Sequence, residues 1–500
     1  MSDGNISKIG KFYQGSTVLI TGASGFLGQV LLEKILRSLN VAKVYVMIRA
    51  KRNSSADERL QRMLDGVLFD RVWQDPSKYK ELRSKVIPVE IDLDCESNMI
   101  AEEMKMRLQK EVDVVFNLLA SINFNEPLDC ALRTNVEYTD RLLGLVSQMK
   151  RLKVVVHVST FFSNCDKSMI EERIYDDIGF GGYANIMNIV SNLDDAEIQA
   201  MEPHLIGDFP NTYTFSKKCA EVMVRDKYGA LPIGIFRPPI VSSTYQEPVA
   251  GWINNFNGPS GLVVMLSEGL YSAAFVDTRK RPFLVPVDYC VNALLICAVD
   301  IVKQRSLASN IPVYNYTNPG DIFTWEQIVA RFYEGLDPVK RMLAYLLTAT
   351  VTRSPVRYAM CKTIMRVEGF FLDVMRQLRG QAPAMSQVFE RMINQSEVLK
   401  FFTFHEWTMR NENVQRLWGE EVSQEDAELF PFDLTKMDWD DYYRNFIPGV
   451  VRYAIAPRKE KDEKTKAVAG NGEVRKYSLY SIWSFLFHSL LSLLKNFTGR

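Results

Sequence analysis

Tyr213 and Lys217 stand four residues apart in the stretch "NTYTFSKKCAEVMV". On a helix that spacing puts both side chains on one face, where their polar ends converge. An ammonium beside a phenol favours the phenolate and lowers the phenol's pKa from about 10, so the pair can exchange a proton with a carbonyl oxygen near neutral pH. Upstream, "HVSTFF" puts Ser159 and Thr160 where an apolar run ends. Neighbouring residues of an extended strand point opposite ways, so only one hydroxyl faces the Tyr–Lys pair. We assign that role to Thr160, which would hold the same carbonyl oxygen. Together Thr160, Tyr213 and Lys217 polarise a carbonyl for hydride delivery, with no metal required. Tyr and Lys at this spacing occur by chance in any long chain. Their weight comes from order along the sequence: a glycine turn, then the strand-end Ser-Thr, then Tyr-Lys.

The glycine turn is "TGASGFLG", Thr21 to Gly28, directly after "STVLI". Gly22, Gly25 and Gly28 lie between an apolar strand and the helical pattern "FLGQVLLEKIL", and a second strand arrives at Lys43. That is a dinucleotide-binding unit, in which bare backbone lets a pyrophosphate approach a helix N-terminus. The stretch makes Thr21, Gly22, Gly25, Phe26, Leu27 and Gly28 candidate cofactor contacts. Spacing of three and three is similar to that of short-chain dehydrogenase folds. The second strand ends in "VMIRAKR", with Arg49, Lys51 and Arg52 and no carboxylate. Cations there suit a ribose 2′-phosphate, so the expected cofactor is NADPH. Lys217 can also bond the nicotinamide ribose, and Asp92 and Leu93, after the third strand, lie near the adenine.

To position these residues the chain needs a sheet. "STVLI", "KVYVMI", "KVIPVEI", "DVVFNLLA", "KVVVHVS", "PIGIFR" and "PVYNYT" each read as a buried strand, and helical patterns lie between most of them. Apolar strands alternating with helices predict a doubly wound parallel sheet of the α/β class over residues 12–320. Residues 321–455 read as a mainly helical second domain. Its stretch "RMLAYLLTATV" is too short to span a bilayer and reads as a buried or interfacial helix. Residues 456–476 are charged and read as a linker. Residues 477–495 read as a hydrophobic tail helix: Tyr477–Leu494 holds no Asp, Glu, Lys or Arg. Such a helix reaches roughly 27 Å, enough to cross a hydrocarbon core, and its serines and His488 fall on one side. Anchoring in a membrane and docking on the protein's own body are both open readings of this tail.

Length and composition agree with two folded units: 500 residues, 47% hydrophobic and 24% charged. With 60 basic and 60 acidic residues, nothing suggests a nucleic-acid partner. Seven scattered cysteines point to a reducing compartment, and four isolated histidines argue against a His-based metal site.

On these residues the chain resembles the alcohol-forming fatty acyl-CoA reductases, extended short-chain dehydrogenases with a C-terminal male-sterility domain, animal members especially. The stretches that carry the likeness are "TGASGFLG", "NFNEPL" with "TNVEYT", "VVHVSTFFSN", "LIGDFPNTYTFSK", "FRPPIVSSTYQEPVAGWINNFNGPSG", "LVPVDYCVNA", "FFTFHEWTMRNEN" and "FPFDLTKMDWDDYYRNFIPGVVRYA". The resemblance implies a Rossmann-type fold and reduction of a long-chain acyl-CoA thioester by NADPH. The product would be a primary alcohol, reached through an aldehyde-level intermediate with release of CoA. It also implies that Arg237 and Pro238 sit by the nicotinamide, that Pro286 to Asp288 lie by the substrate mouth, and that Ala120 borders the cofactor. The fourth strand departs from the family's usual His/Cys-Ala-Ala ending and reads Asn117-Leu118-Leu119-Ala120-Ser121. The tail resembles that of tail-anchored relatives, implying a peroxisomal or endoplasmic reticulum membrane with the catalytic domain facing the cytosol. A homodimer, a reductase that stops at the aldehyde, a sterol or sugar-nucleotide dehydrogenase, and a weakly catalytic lipid-binding homologue stay open.

Overall fold

The computed structural model describes residues 7–49, 54–93, 99–261, 272–318, 323–334 and 349–455. Lys51, Arg52, the linker at 456–476 and the tail at 477–495 lie outside the described residues. Seven strands form one sheet: β1 (Thr17–Thr21), β2 (Lys43–Arg49), β3 (Val86–Ile91), β4 (Val114–Asn117), β5 (Val154–Val158), β6 (Ile233–Arg237) and β7 (Val313–Asn315). Their order is β7-β6-β5-β4-β1-β2-β3 and every pairing is parallel. Each corresponds to one of the seven apolar runs.

β1, β4, β5 and β6 are buried along their whole length, as strands covered on both faces must be. Pro88 cannot donate to a ladder, and it sits in β3 at the sheet edge, where that costs least. The strand order reverses between β1 and β4, which opens a crevice at their C-terminal ends. Helix α1 (Phe26–Ser38) leaves β1 across the glycine turn. Helix α2 (Thr212–Tyr228) is capped by Asn211 Oδ1, which accepts the Thr214 amide at 2.9 Å. Helix α3 (Val287–Leu307) packs on α1, β5 and β6.

Two compact units emerge, and they interleave along the chain. The first comprises Met1–Val249, Phe283–Gly320 and Trp407–Met437, and the second Ala250–Pro282, Asp321–Glu406 and Asp438–Arg500, each taken over its described residues. The sequence predicts one border, at residue 320; by contacts the chain crosses between the units several times. Residues 407–437 join the sheet unit because long-range bonds hold them there. Thr408–Met409 pair with Met169–Ile170, Trp407 donates to the Cys165 carbonyl at 3.0 Å, and Arg416 bonds the buried Asp300 at 2.6 Å.

In the second unit, helices α4 (Pro355–Gln377) and α5 (Met385–Phe404) pack together over Tyr358, Met365, Phe389 and Ile393. The Asp373 carboxylate caps α5 by accepting the amides of Ala384, Met385 and Ser386. The end of "RMLAYLLTATV" is not helical. Ala349–Thr352 form a strand parallel to Ser272–Phe275, as β-branched Thr350, Val351 and Thr352 favour. Among the described residues no helix is long and apolar enough to cross a membrane.

Candidate active site

The glycine turn is built without room for side chains. Gly22 has φ +66°, and a Cβ there would lie 3.0 Å from the Leu118 and Leu119 backbone. A Cβ on Gly28 would stand 2.3 Å from the Gly22 carbonyl oxygen, so α1 meets the turn only with glycine at that position. Gly25 is the N-cap of α1; no side chain caps the helix there and its first turn carries no acid. No N-cap side chain stands over the helix start, which suits an anion-binding helix N-terminus. Phe26 and Leu27 are half-buried at that start.

Thr21 ends β1. Its side chain is fully buried and its hydroxyl is committed elsewhere, donating to Asn117 Oδ1 at 2.8 Å and accepting the Leu118 and Leu119 amides at 3.1 Å. It fixes the end of β4 against the glycine turn. Asn117 passes the order on. Its Nδ2 lies 3.0 Å from His157 Nδ1 and must donate, because its Oδ1 is the acceptor from Thr21. His157 Nδ1 is therefore unprotonated, and the ring's proton sits on the buried Nε2. Burial, aided by the Lys217 charge, holds His157 well below its usual pKa, so it stays neutral.

The reacting groups converge at the ends of β5 and α2. Thr160 lies near enough to the Tyr213 phenol to pull its pKa down, while Ser159 turns away and donates to Glu221. The strand's alternation separates the two hydroxyls. Lys217 Nζ, 1% exposed, donates to the Val158 carbonyl at 2.8 Å. Burial pushes the Tyr213 phenol up to about 12, against a smaller pull from Thr160. Burial also lowers Lys217 to about 8, against the attraction of Glu221. The expectation that Lys217 acidifies the phenol is not met in this structure: burial prevails and the phenol holds its proton at neutral pH. Phe124 stacks on the Tyr213 ring, with centroids 5.5 Å apart and planes at 20°.

Arg237 ends β6 and turns inward. Its guanidinium is fully buried and grips Glu221 with two bonds, at 2.9 and 2.5 Å, while also donating to the Glu171 and Arg173 carbonyls. It braces α2 from behind. Burial raises Glu221, yet the charge and bonds of Arg237 and the hydroxyls of Ser159 and Ser163 bring it below the usual carboxylate range. The Pro238 carbonyl accepts the amide of Phe161, next in sequence to Thr160, at 2.9 Å. Ala120 is half-buried in the loop after β4. Arg49 is exposed at the end of β2, and Asp92 is exposed just past β3 with its amide on the Met99 carbonyl. Leu93 packs against the sheet's core. Asp288, placed by resemblance at the substrate mouth, is buried and accepts the amides of Tyr245, Gln246 and Glu247, which makes it a loop clasp.

A family model described as "Male sterility protein" matches residues 20–294, and a second with the same description matches residues 364–456. The chain is 31% identical over 447 residues to "Fatty acyl-CoA reductase wat" of Drosophila melanogaster, covering 89% of this chain and 85% of that one. It is 33% identical over 466 residues to "Fatty acyl-CoA reductase 1" of Xenopus laevis, covering 89% and 86%. The chain belongs to the fatty acyl-CoA reductase family. This reductase is therefore an oxidoreductase with an NAD(P)-binding domain. The fold is shared with the reductase domain of a nonribosomal peptide synthetase from Mycobacterium tuberculosis, at TM-score 0.57 and 18% identity over 87% of this chain and 91% of that one. It is shared too with the terminal R domain of the myxalamid pathway, at TM-score 0.55 and 19% identity over 90% and 95%.

Four residues of the reductase's site were not singled out from sequence. Glu221 continues the Tyr213–Lys217 face at the same spacing, a signal that could have found it. Asn135 sits in a single π-helical segment, Arg133–Glu137, a distortion common at functional sites. Its side chain accepts the Ser121 amide at 2.9 Å and donates to Ser216 Oγ at 2.9 Å, tying the β4 loop to α2. His157 and Phe124 gave no local signal, since only the fold brings them to Lys217 and Tyr213.

Proposed function

We propose that this reductase uses NADPH to reduce a long-chain fatty acyl-CoA, through a hemithioacetal and an aldehyde, to a primary alcohol, releasing CoA. One observation carries the reading. The buried Tyr213 phenol lies near Thr160 and one helix turn from the buried Lys217, within a chain alike over most of its length to proteins named fatty acyl-CoA reductases. The uncapped start of α1 and the glycine turn fit a pyrophosphate. Arg49, exposed at the end of β2, suits a 2′-phosphate. Bound NADPH supplies the hydride. Tyr213, protonated at neutral pH, gives its proton to the oxygen of the carbonyl under attack, and Thr160 holds that oxygen by its hydroxyl. Lys217 lies within a bond's reach of the strand end that carries Thr160 and keeps positive charge close to the phenolate that forms. Glu221, braced by Arg237, attracts the Lys217 ammonium and so opposes its loss of a proton in the buried site. The same residues serve the second reduction, because an aldehyde presents the same oxygen. In this reading residues 477–495 anchor the protein in a peroxisomal or endoplasmic reticulum membrane, with the catalytic unit toward the cytosol. The support is a run of 18 residues without a formal charge.

Full-length protein incubated with NADPH and palmitoyl- or stearoyl-CoA tests the proposal. Long-chain alcohol with free CoA is the expected outcome. Aldehyde alone, or no oxidation of NADPH, overturns it.

A further inference from the structure

Helix α4 has an apolar face that the described residues of its own unit leave bare. Val356, Met360, Val367, Phe370 and Leu378 at its end are 71%, 62%, 39%, 61% and 83% exposed. At about 100° per residue they fall within an arc of roughly 80°. The opposite face carries Tyr358, Cys361, Met365 and Gly369, all buried. A Cβ on Gly369 would stand 2.9 Å from the Phe389 ring and 3.1 Å from the Ser386 backbone, so the helix is pressed on α5 on that side. The bare stripe is thus a consequence of packing, not of a loosely held helix. Contiguous exposed apolar surface of this kind marks an interaction site.

Charge decides what the stripe fits. Every charged side chain that α4 presents is a cation: Arg357, Lys362, Arg366 and Arg376. Its two acids, Glu368 and Asp373, are buried. Arg357 and Arg366 flank the stripe on its two sides and are both exposed. Lys362 and Arg366 pair with Glu397 and Glu390 of α5 without being covered, at 27% and 55% exposed. An apolar stripe bearing a large aromatic, bordered by arginines, is the pattern of a helix lying in the plane of a membrane surface. We infer that α4 is a membrane-docking helix, its Val356–Leu378 stripe entering the interface of an anionic phospholipid bilayer with the flanking arginines at the headgroups. This contact is separate from the tail at 477–495. It would lay the second unit on the bilayer instead of leaving it to swing on a tether.

Phe370→Trp in the full-length protein tests the assignment, read against wild type with vesicles of phosphatidylcholine and phosphatidylserine. The expected result is a blue shift of the added emission on vesicle addition and its quenching by brominated acyl chains, weaker with phosphatidylcholine alone. Adding Met360→Asp and Val367→Asp should abolish that quenching while acyl-CoA-dependent oxidation of NADPH continues, since none of the three touches the catalytic residues. Emission that is already blue and indifferent to vesicles overturns the inference in favour of cover by the chain's own tail or a second copy. Emission that stays red and unquenched on vesicle-bound protein overturns it outright. Neither readout depends on turnover, so the functional proposal stands or falls separately.

Discussion

At the scale of single residues, the site is governed by burial more than by neighbouring charge. Tyr213 sits at about 12 and Lys217 at about 8, both moved by loss of water. The sign follows for activity. Below about 8 Lys217 carries its charge, and above it the charge is lost while Tyr213 keeps its proton. On the alkaline side kcat/KM should therefore fall with an apparent pKa near 8, and Lys217→Arg should move that limb upward in whatever activity remains. A profile flat to pH 10 would contradict this. The same shift bears on stability: from about 8 to the ordinary lysine range the unfolded chain holds the extra proton, so this group makes the fold more stable as pH rises. Arg49 is the residue for cofactor choice. Arg49→Asp should raise the Michaelis constant for NADPH at least about tenfold more than that for NADH, as loss of a charge-assisted phosphate contact implies. Equal effects would remove the 2′-phosphate assignment. Strand alternation parts Thr160 from Ser159, whose hydroxyl goes to Glu221. The Thr21 hydroxyl and the Arg237 guanidinium hold buried partners, which sequence did not show because a polar residue at a strand end looks the same whether it faces a ligand or a buried partner.

At the scale of elements, the glycine turn and its helix are the tightest construction in the sheet unit. Gly28→Ala puts a methyl 2.3 Å from the Gly22 carbonyl, against backbone that cannot swing aside. The variant should lose about 1–3 kcal/mol of stability by thermal or denaturant unfolding, and lose dinucleotide binding beyond what stability explains. Unchanged binding by titration calorimetry would mean that the turn is only a turn. All seven strands were legible because runs such as "KVVVHVS" and "KVYVMI" are β-branched, apolar and uninterrupted. The last part of "RMLAYLLTATV" was read as helix because a short apolar run suits either state, and only pairing with Ser272–Phe275 decides it. The π-helical segment at Asn135 leaves no periodic trace at all, since one extra residue in a turn is invisible against the helix's own repeat.

For the whole molecule, the likeness to known reductases runs through both units, while the order in which the chain visits them was not legible. Trp407–Met437 returns to the sheet unit through bonds such as Arg416–Asp300, whose partners are far apart in sequence, and no local pattern announces them. Equal numbers of acids and bases give no net charge to gather anionic ligands, so binding rests on local cations, such as Arg49 for the cofactor's phosphate. The proposed mechanism turns on the protonated Tyr213 phenol giving its proton to the carbonyl that takes the hydride. Single-turnover reduction of palmitoyl-CoA by Tyr213→Phe, with NADPH affinity measured on the same protein, tests this most directly. The account predicts a loss of about 10²–10⁴-fold in rate with NADPH affinity within a few-fold of wild type. A variant that still turns over at near the wild-type rate would contradict it.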